Sequence, residues 1–328
     1  MDLLASFFFL LLTIRKSKPF PLKIFRGLKE FKETKKSVVT VGTFDGVHIG
    51  HQKIIKKINA NKKDANSVLL TFYPHPRMVL QDESNLKLLN TLEEKIELLK
   101  KTELDCLVVE PFTKHFSRLT AFDFVRDILV NILNIKKLVI GYDHRFGKNR
   151  EGNFEQLQEY GEIYDFKLKE ITAQDIEEVT VSSTKIRKAL ADGDIETANK
   201  YLGYNYLLTG KVVRGQGLGN KWNYPTINIQ IANPYKLIPK NGVYLVSAQL
   251  RSSQFYGIMN IGYRPTVNGK NRTIEVHLLD FKADVYGDDI KICMMQRLRD
   301  EQKFPSIEAL IEQIKKDELL ARRIISSF

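Results

Sequence analysis

The stretch Ser37-Val-Val-Thr-Val-Gly-Thr-Phe-Asp-Gly-Val-His48-Ile-Gly-His51 constrains this chain more than any other. Val38, Val39 and Val41 make a β-branched run that reads as a short buried strand. Gly42 and Gly46 free a tight turn, and Gln52-Lys-Ile-Ile-Lys-Lys-Ile continues with helical spacing. This order sets a helix N-terminus, with its free N–H groups and positive dipole end, where the strand stops. A polyphosphate suits such a place. Gly50 removes the side chain that would block close approach between the two histidines. The imidazoles of His48 and His51 can then donate hydrogen bonds to phosphate oxygens as charge builds on an α-phosphorus under attack. The pattern is that of a nucleotidyl-transfer site, and neither histidine needs to bind metal.

Of the six histidines, His48, His51, His75 and His144 fall just after predicted strands, where open α/β sheets bind ligands. His115 and His277 do not, and they read as structural. From about Leu22 to Thr184 strand-like runs alternate with helical patterns: Ser67–Phe72, Cys106–Glu110, Lys137–Gly141 and a weaker Phe166–Ile171. Thr91-Leu-Glu-Glu94 and Thr120-Ala-Phe-Asp123 resemble capping boxes, each ahead of a helical pattern. Such alternation with near-continuous apolar strands predicts a parallel sheet covered on both faces, a Rossmann-like domain. From about Tyr206 onward strand follows strand, over Tyr206–Val213, Thr226–Ile231, Val243–Leu250, Phe255–Ile261, Thr273–Leu279 and Ile290–Met295. Turn signals at Asn241-Gly242, Asn268-Gly269 and Tyr286-Gly287 punctuate them, and an amphipathic helix from about Ser306 to Ile325 closes the chain. That pattern predicts a small antiparallel barrel. The expected organisation is an apolar extension over 1–21, an α/β domain over 22–187, linker helices over 188–205 and a barrel domain over 206–328.

A chain of 328 residues, 43% of them hydrophobic, can bury about two ordinary cores. Its formal charge of +12 is spread along the sequence, without the concentrated basic stripe and interleaved aromatics of a nucleic-acid binder. Cys106 and Cys293 each lie in an apolar run, which fits reduced thiols and a cytoplasmic protein. Leu3 to Ile14 is almost wholly apolar and is followed by Arg15, Lys16 and Lys18. That run is short for a bilayer and its charges follow the apolar run, whereas a secretory signal carries them ahead. It reads as an extension outside the fold, with no stable membrane association. The sequence is compatible with a homo-oligomer.

Polar clusters follow two further strands of the first half. Thr71-Phe-Tyr-Pro74-His75-Pro76 comes after the second, and Gly141-Tyr-Asp143-His144-Arg145-Phe-Gly147 after the fourth. Val181-Ser182-Ser183-Thr184-Lys-Ile-Arg187 offers hydroxyls at a helix start and an arginine about one turn later. It reads either as a holder of terminal phosphates or as an ordinary N-cap with a surface arginine. With Gly42-Thr43-Phe44-Asp45-Gly46-Val-His48-Ile-Gly50-His51, these segments in this order resemble the adenylyltransferase half of the bacterial bifunctional riboflavin kinase/FAD synthetase family. Gly210-Lys-Val-Val-Arg-Gly215-Gln-Gly-Leu-Gly219-Asn-Lys-Trp-Asn-Tyr-Pro225-Thr226-Ile-Asn228 is similar to the kinase signature of that family. Asn260-Ile-Gly262-Tyr-Arg264-Pro265-Thr266, Ile274-Glu275-Val-His277 and Leu298-Arg299-Asp-Glu301-Gln-Lys-Phe304 complete it.

Two departures from the family pattern stand out: Asn223 sits where glycine is usual, and His144 replaces a phenylalanine. The resemblance implies a riboflavin kinase-like barrel and two reactions, riboflavin to FMN and FMN to FAD, each using ATP. It implies that Thr226 and Asn228 hold Mg²⁺–ATP with Gly210, Gly215, Gly219 and Pro225 around them, that Glu275 is the general base, and that Arg299 and Glu301 contact flavin. For the transfer step it implies ATP at Gly42, Thr43, Phe44, Asp45, Gly46, Gly50, Ser182, Ser183, Thr184 and Arg187, and FMN at Pro74, His75, Pro76 and Asp143. FMN and FAD are then the product ligands. The glycine pattern at 215–219 is not a P-loop, and Glu275 stands out as a glutamate within an otherwise apolar strand. Two other readings remain. A nucleotidyltransferase for another small phosphate would leave the barrel regulatory, against the motifs at Thr226 and Glu275. A nucleic-acid-binding protein would lack turnover.

Overall fold

Val38, Val39 and Val41 lie in a strand whose every residue is buried, β2 (Ser37–Val41). A computed structural model describes residues 21–328 apart from 82–84, 142–145, 149–150, 172–180, 216–223 and 267–268. Residues 1–20 of the N-terminal extension, Asp143, His144, Gly219 and Asn223 therefore lie outside the described residues. The described residues form two compact units that interleave along the sequence: one takes them from within 1–43, 52–82 and 96–175, the other from within 44–51, 83–95 and 176–328.

The first unit is built on a six-stranded sheet in the order β1-β4-β3-β2-β5-β6. Its other strands are β1 (Lys23–Phe25), β3 (Asn66–Tyr73), β4 (Cys106–Pro111), β5 (Ile135–Gly141) and β6 (Lys167–Ile171). Every neighbouring pair is parallel, with Val39 opposite Val68 on one side and Leu138 on the other. β1 is too short to leave a pattern in the sequence, and it gains its place by pairing Lys23–Phe25 with Cys106, Leu107 and Val108. The chain lays β3 and β4 on one side of β2 and β5 and β6 on the other. The carboxyl end of β2 is thus the switch point at which such sheets bind ligands. Helix α1 (Ile49–Asn61) follows β2, and α2 (Pro76–Leu80) follows β3. The capping box expected at Thr91 starts α3 (Leu92–Leu99): Thr91 Oγ1 accepts from Glu94 N at 3.2 Å, and Glu94 Oε2 accepts from Thr91 N at 3.1 Å. At Thr120 only half of the box forms, because Asp123 is too short to reach back and instead accepts the Thr120 hydroxyl at 2.7 Å. The helix begun there becomes π-type in α4 (Phe124–Ile132), whose Phe124, Val125, Ile128 and Leu129 join the sheet's core, and α5 (Phe154–Ile163) opens on an Asn153–Gln156 capping box.

The second unit holds a closed barrel in the order β10-β11-β8-β7-β12-β9, every pair antiparallel. Its strands are β7 (Tyr206–Val213), β8 (Ile227–Gln230), β9 (Gly242–Leu250), β10 (Ser253–Thr266), β11 (Gly269–Leu278) and β12 (Asp289–Arg299). Tyr206, Tyr244, Met259, Ile261, Val276, Ile292 and Met294 fill its interior. β10 outruns the apolar run Phe255–Ile261 because it pairs with β9 and then continues along β11. β12 reaches Arg299 through two register shifts, at Met294/Gln296 and Arg297/Arg299, that no apolar periodicity announces. Helices α6 (Ser183–Asp192) and α7 (Ile195–Leu202) precede the barrel, each closed by a left-handed glycine, Gly193 and Gly203. The closing helix, α8 (Ile307–Ile325), is capped by Ser306.

Candidate functional site

The turn between β2 and α1 carries left-handed backbone at Phe44 (φ 46°), Gly46 (φ 90°) and Val47 (φ 37°). For a β-branched residue such as Val47 this conformation is strained, and it persists only where the surroundings impose it. They do so through Asp45, which is 2% exposed. Its carboxylate accepts the backbone N–H groups of Leu89 (3.0 Å) and Asn90 (3.3 Å) and pairs with Arg187. Ser183 Oγ donates to the Asp45 carbonyl at 2.8 Å, and the Tyr204 hydroxyl donates to the Gly46 carbonyl at 2.5 Å. Arg187 also donates from Nε to the Lys87 carbonyl at 2.8 Å. The structure thus brings Asp45, Ser183 and Arg187 together, with two donors of the guanidinium engaged by protein groups. Ser182 is the N-cap of α6, its Oγ accepting from Lys185 N, and Thr184 is exposed in the first turn.

His48 and His51 stack ring on ring, centroids 3.6 Å apart, and Phe44 covers the far side of His51 at 4.4 Å. A Cβ on Gly50 would fall 3.2 Å from both Cε1 and Nδ1 of His48, so this glycine makes room for the ring itself. Burial pushes His48 down to about 4, with Asp45 acting in the opposite direction. His51 is also pushed well down, by burial first and then by His48 and Lys95. Near neutral pH both rings are therefore uncharged and offer N–H donors. The Nδ1 of His51 is out of water and has no hydrogen-bond partner among the described residues. Lys95, buried in α3, is pushed down to about 8 by burial, with Asp45 opposing the shift.

In the first unit, the Thr71 hydroxyl donates to the Thr43 carbonyl at 3.1 Å, and Gly42 N donates to the Leu70 carbonyl at 3.0 Å. Pro74 is exposed after a cis peptide bond with Tyr73. His75 caps α2, its Nδ1 accepting from Arg77 N, and Pro76 opens that helix.

In the barrel, Glu275 on β11 stands directly opposite Asn228 on β8. Thr226 Oγ1 lies 3.5 Å from Glu275 Oε2. Gly215 presses on the same spot, since a Cβ there would fall 2.1 Å from Asn228 Nδ2. Gly210 allows β7 to close on β8, its Cβ position being 2.5 Å from the Gln230 carbonyl oxygen. Thr226, Asn228, Glu275 and Gly215 are thus neighbours, and they bring a hydroxyl, a side-chain amide and a carboxylate to one region of the barrel. Such hard donors, completed by phosphate oxygens, fit Mg²⁺. A cavity of about 470 Å³ adjoins Asn228, lined also by Ile229, Ile231, Ile238, Arg272 and Ile274. Arg299 and Glu301 are engaged elsewhere. Arg299 forks onto Asp317 of α8 at 2.8–3.0 Å, and Glu301 accepts from Asn241 Nδ2 at 3.2 Å beside Gly262.

Residues 30–185 match the FAD synthetase family model, and residues 202–325 match the riboflavin kinase model. A bifunctional riboflavin kinase/FMN adenylyltransferase of Buchnera aphidicola subsp. Schizaphis graminum is 38% identical over 90% of this chain and 96% of its own. The chain belongs to the bifunctional riboflavin kinase/FMN adenylyltransferase family. The Escherichia coli family member is 35% identical over 92% of this chain and 97% of its own. A crystal structure described as a macrolide-efflux protein from Streptococcus pneumoniae is 30% identical, with a TM-score of 0.83, covering 91% of this chain and 98% of that one. Among the described residues no helix is long and apolar enough to cross a membrane.

For this family member, sequence reasoning named the turn and the two histidines but missed Asn90, Lys95 and Tyr204 beside them. Lys95 alone left a signal, a charged residue on the apolar stripe of Leu92, Ile96 and Leu99.

Proposed function

We propose that the family's two reactions run on separate constellations of this chain, in domains over 22–187 and 206–328 joined by helices over 188–205. The chain is a riboflavin kinase and FMN adenylyltransferase that makes FMN and then FAD, with riboflavin, FMN and ATP as substrates. The observation that carries the kinase assignment is the meeting of Thr226, Asn228 and Glu275 under Gly215. There Glu275 takes the proton of the ribityl 5′-hydroxyl, whose oxygen attacks the γ-phosphorus as ADP leaves. Thr226 and Asn228 would hold Mg²⁺, which when bound neutralises charge on the β- and γ-phosphates. Arg299 and Glu301, held here by Asp317 and Asn241, would contact the flavin once it is bound.

In the transfer step an oxygen of the FMN phosphate attacks the α-phosphorus of ATP and pyrophosphate leaves. The phosphate is already a nucleophile, so no base is needed. His48 and His51 donate neutral N–H groups to the developing charge, and the stack on Phe44 keeps their rings in place. Gly42, Thr43, Gly46, Gly50, Ser183 and Thr184 surround ATP, with Asp45 and Arg187 holding the strained turn in register; Pro74, His75 and Pro76 face FMN. Work with nucleic acid or a membrane has no place in this scheme, and the cytoplasm is its setting. Complementary variants test it. Glu275→Gln should stop FMN formation and spare conversion of FMN to FAD, and His48→Ala should do the reverse; both reactions failing in one folded variant refutes the separation.

A further inference from the structure

The ladder between β8 and β11 stops at Ile227 opposite Val276. Continued by one residue, the antiparallel register would set Thr226 against His277, but the backbone does not make that pair. The side chain of His277 does the work instead: its Nδ1 lies 2.8 Å from the carbonyl oxygen of Pro225. A carbonyl can only accept, so Nδ1 carries the proton and donates it. The His277 ring also meets Tyr224 edge to face, centroids 5.4 Å apart. Residues 224 and 225 are therefore tied to β11 immediately before Thr226. Alternation along a strand puts His277 on the same face as Glu275. Two neighbouring side chains of one face thus fix one segment, Glu275 reaching Thr226 and His277 reaching the residue before it.

We propose that His277 is a positioning residue of the kinase step: by holding the Pro225 carbonyl it sets the Thr226 hydroxyl opposite Glu275. The proposal rests on the assignment of Thr226 and Glu275 to that step. Pro225 has no N–H and cannot tie itself into the sheet through a donor of its own. Its carbonyl is the last backbone handle before Thr226, and a single hydrogen bond there governs where the hydroxyl sits. Losing one such bond corresponds to a factor of up to about tenfold.

The test compares His277→Leu with His277→Asn, whose Nδ2 can donate from nearly the place of Nδ1. In the Leu variant KM for Mg²⁺-ATP in riboflavin phosphorylation should rise about tenfold with kcat less affected. The Asn variant should recover to within about threefold of the parent, and FMN should be converted to FAD normally by both. His277→Thr, which keeps a strand-favouring shape without the reach, replaces the Leu variant should that one not fold. Parental KM in a folded variant without the donor, or an Asn variant as impaired as the Leu variant, overturns the proposal. Glu275→Gln separates the two layers: if it phosphorylates riboflavin normally the site assignment itself falls, whereas an inactive Glu275→Gln beside an unaffected His277→Leu removes only His277.

Discussion

Lys236 and Glu94 form an ion pair at 2.6 Å with neither side chain exposed at all. Breaking it should be the most damaging single change outside the sites. Lys236 Nζ also donates to the Leu89 carbonyl at 2.6 Å and lies 4.3 Å above the Tyr206 ring. Glu94 in turn accepts from Thr209 N (3.0 Å), Thr209 Oγ1 (2.9 Å) and Thr91 N (3.1 Å). Lys236→Met would keep most of the side-chain volume but leave the carboxylate buried without a counter-charge, at a cost of about 3–5 kcal/mol. That is a large share of the roughly 5–15 kcal/mol that holds an ordinary domain together. Adding Glu94→Gln should recover part of the loss, about 1–3 kcal/mol. The amide oxygen can still accept from Thr209, and the uncompensated charge is gone. Full recovery is not expected, because Thr91 and Thr209 rely on a charged acceptor. Urea unfolding followed by far-ultraviolet circular dichroism gives the three stabilities. A Lys236→Met variant within about 1 kcal/mol of the parent, or a double variant no more stable than it, would refute the reasoning.

Gly50→Ala forces its new methyl to 3.2 Å from the His48 ring, so the ring must shift. FAD formation should fall about tenfold or more with riboflavin phosphorylation unchanged, given that a shift of about 1 Å can remove a hundredfold; equal loss of both rates would show a general folding defect instead. The buried state of His48 should also appear in the pH dependence of stability. Its folded-state value of about 4 lies below its unfolded value near 6.5, so the unfolded chain binds more protons between these limits. The contribution of neutral His48 is complete above pH 6.5 and is lost as pH falls toward 4, by up to about 3 kcal/mol. Urea midpoints at pH 7, 6 and 5 should drop more steeply for the parent than for His48→Asn, and parallel slopes would count against the burial argument.

What the sequence made legible follows from periodicity. The valine run of β2, the strand–helix alternation and the later run of strands each carry a repeat that a buried face imposes, and the sheet and the barrel appeared where those repeats lay. Contacts between residues far apart in the chain leave no such repeat. Glu94 was legible as the acidic partner three residues after the cap in a capping box, but its pairing with Lys236 was not. Arg187 was legible as a positive charge one turn into a helix, while its grip on Asp45 depends on a fold that closes over that turn. The alternation that identified Glu275 as an odd residue in an apolar strand also placed His277 two positions on. Nothing in the spacing disclosed that its ring reaches the Pro225 carbonyl, because that bond begins where the ladder ends.

The central claim is that one chain carries two chemically separate sites. Its most direct test is a time course of the full-length protein with riboflavin and Mg²⁺-ATP, flavins separated by chromatography, run beside Glu275→Gln and His48→Ala. The parent should pass riboflavin through FMN to FAD. Glu275→Gln should lose FMN formation by about a hundredfold or more yet adenylylate added FMN at the parental rate. His48→Ala should accumulate FMN, with FAD formation down by about a hundredfold to a thousandfold. Neither FMN nor FAD from the parent, or a folded Glu275→Gln that phosphorylates riboflavin normally, would contradict the account.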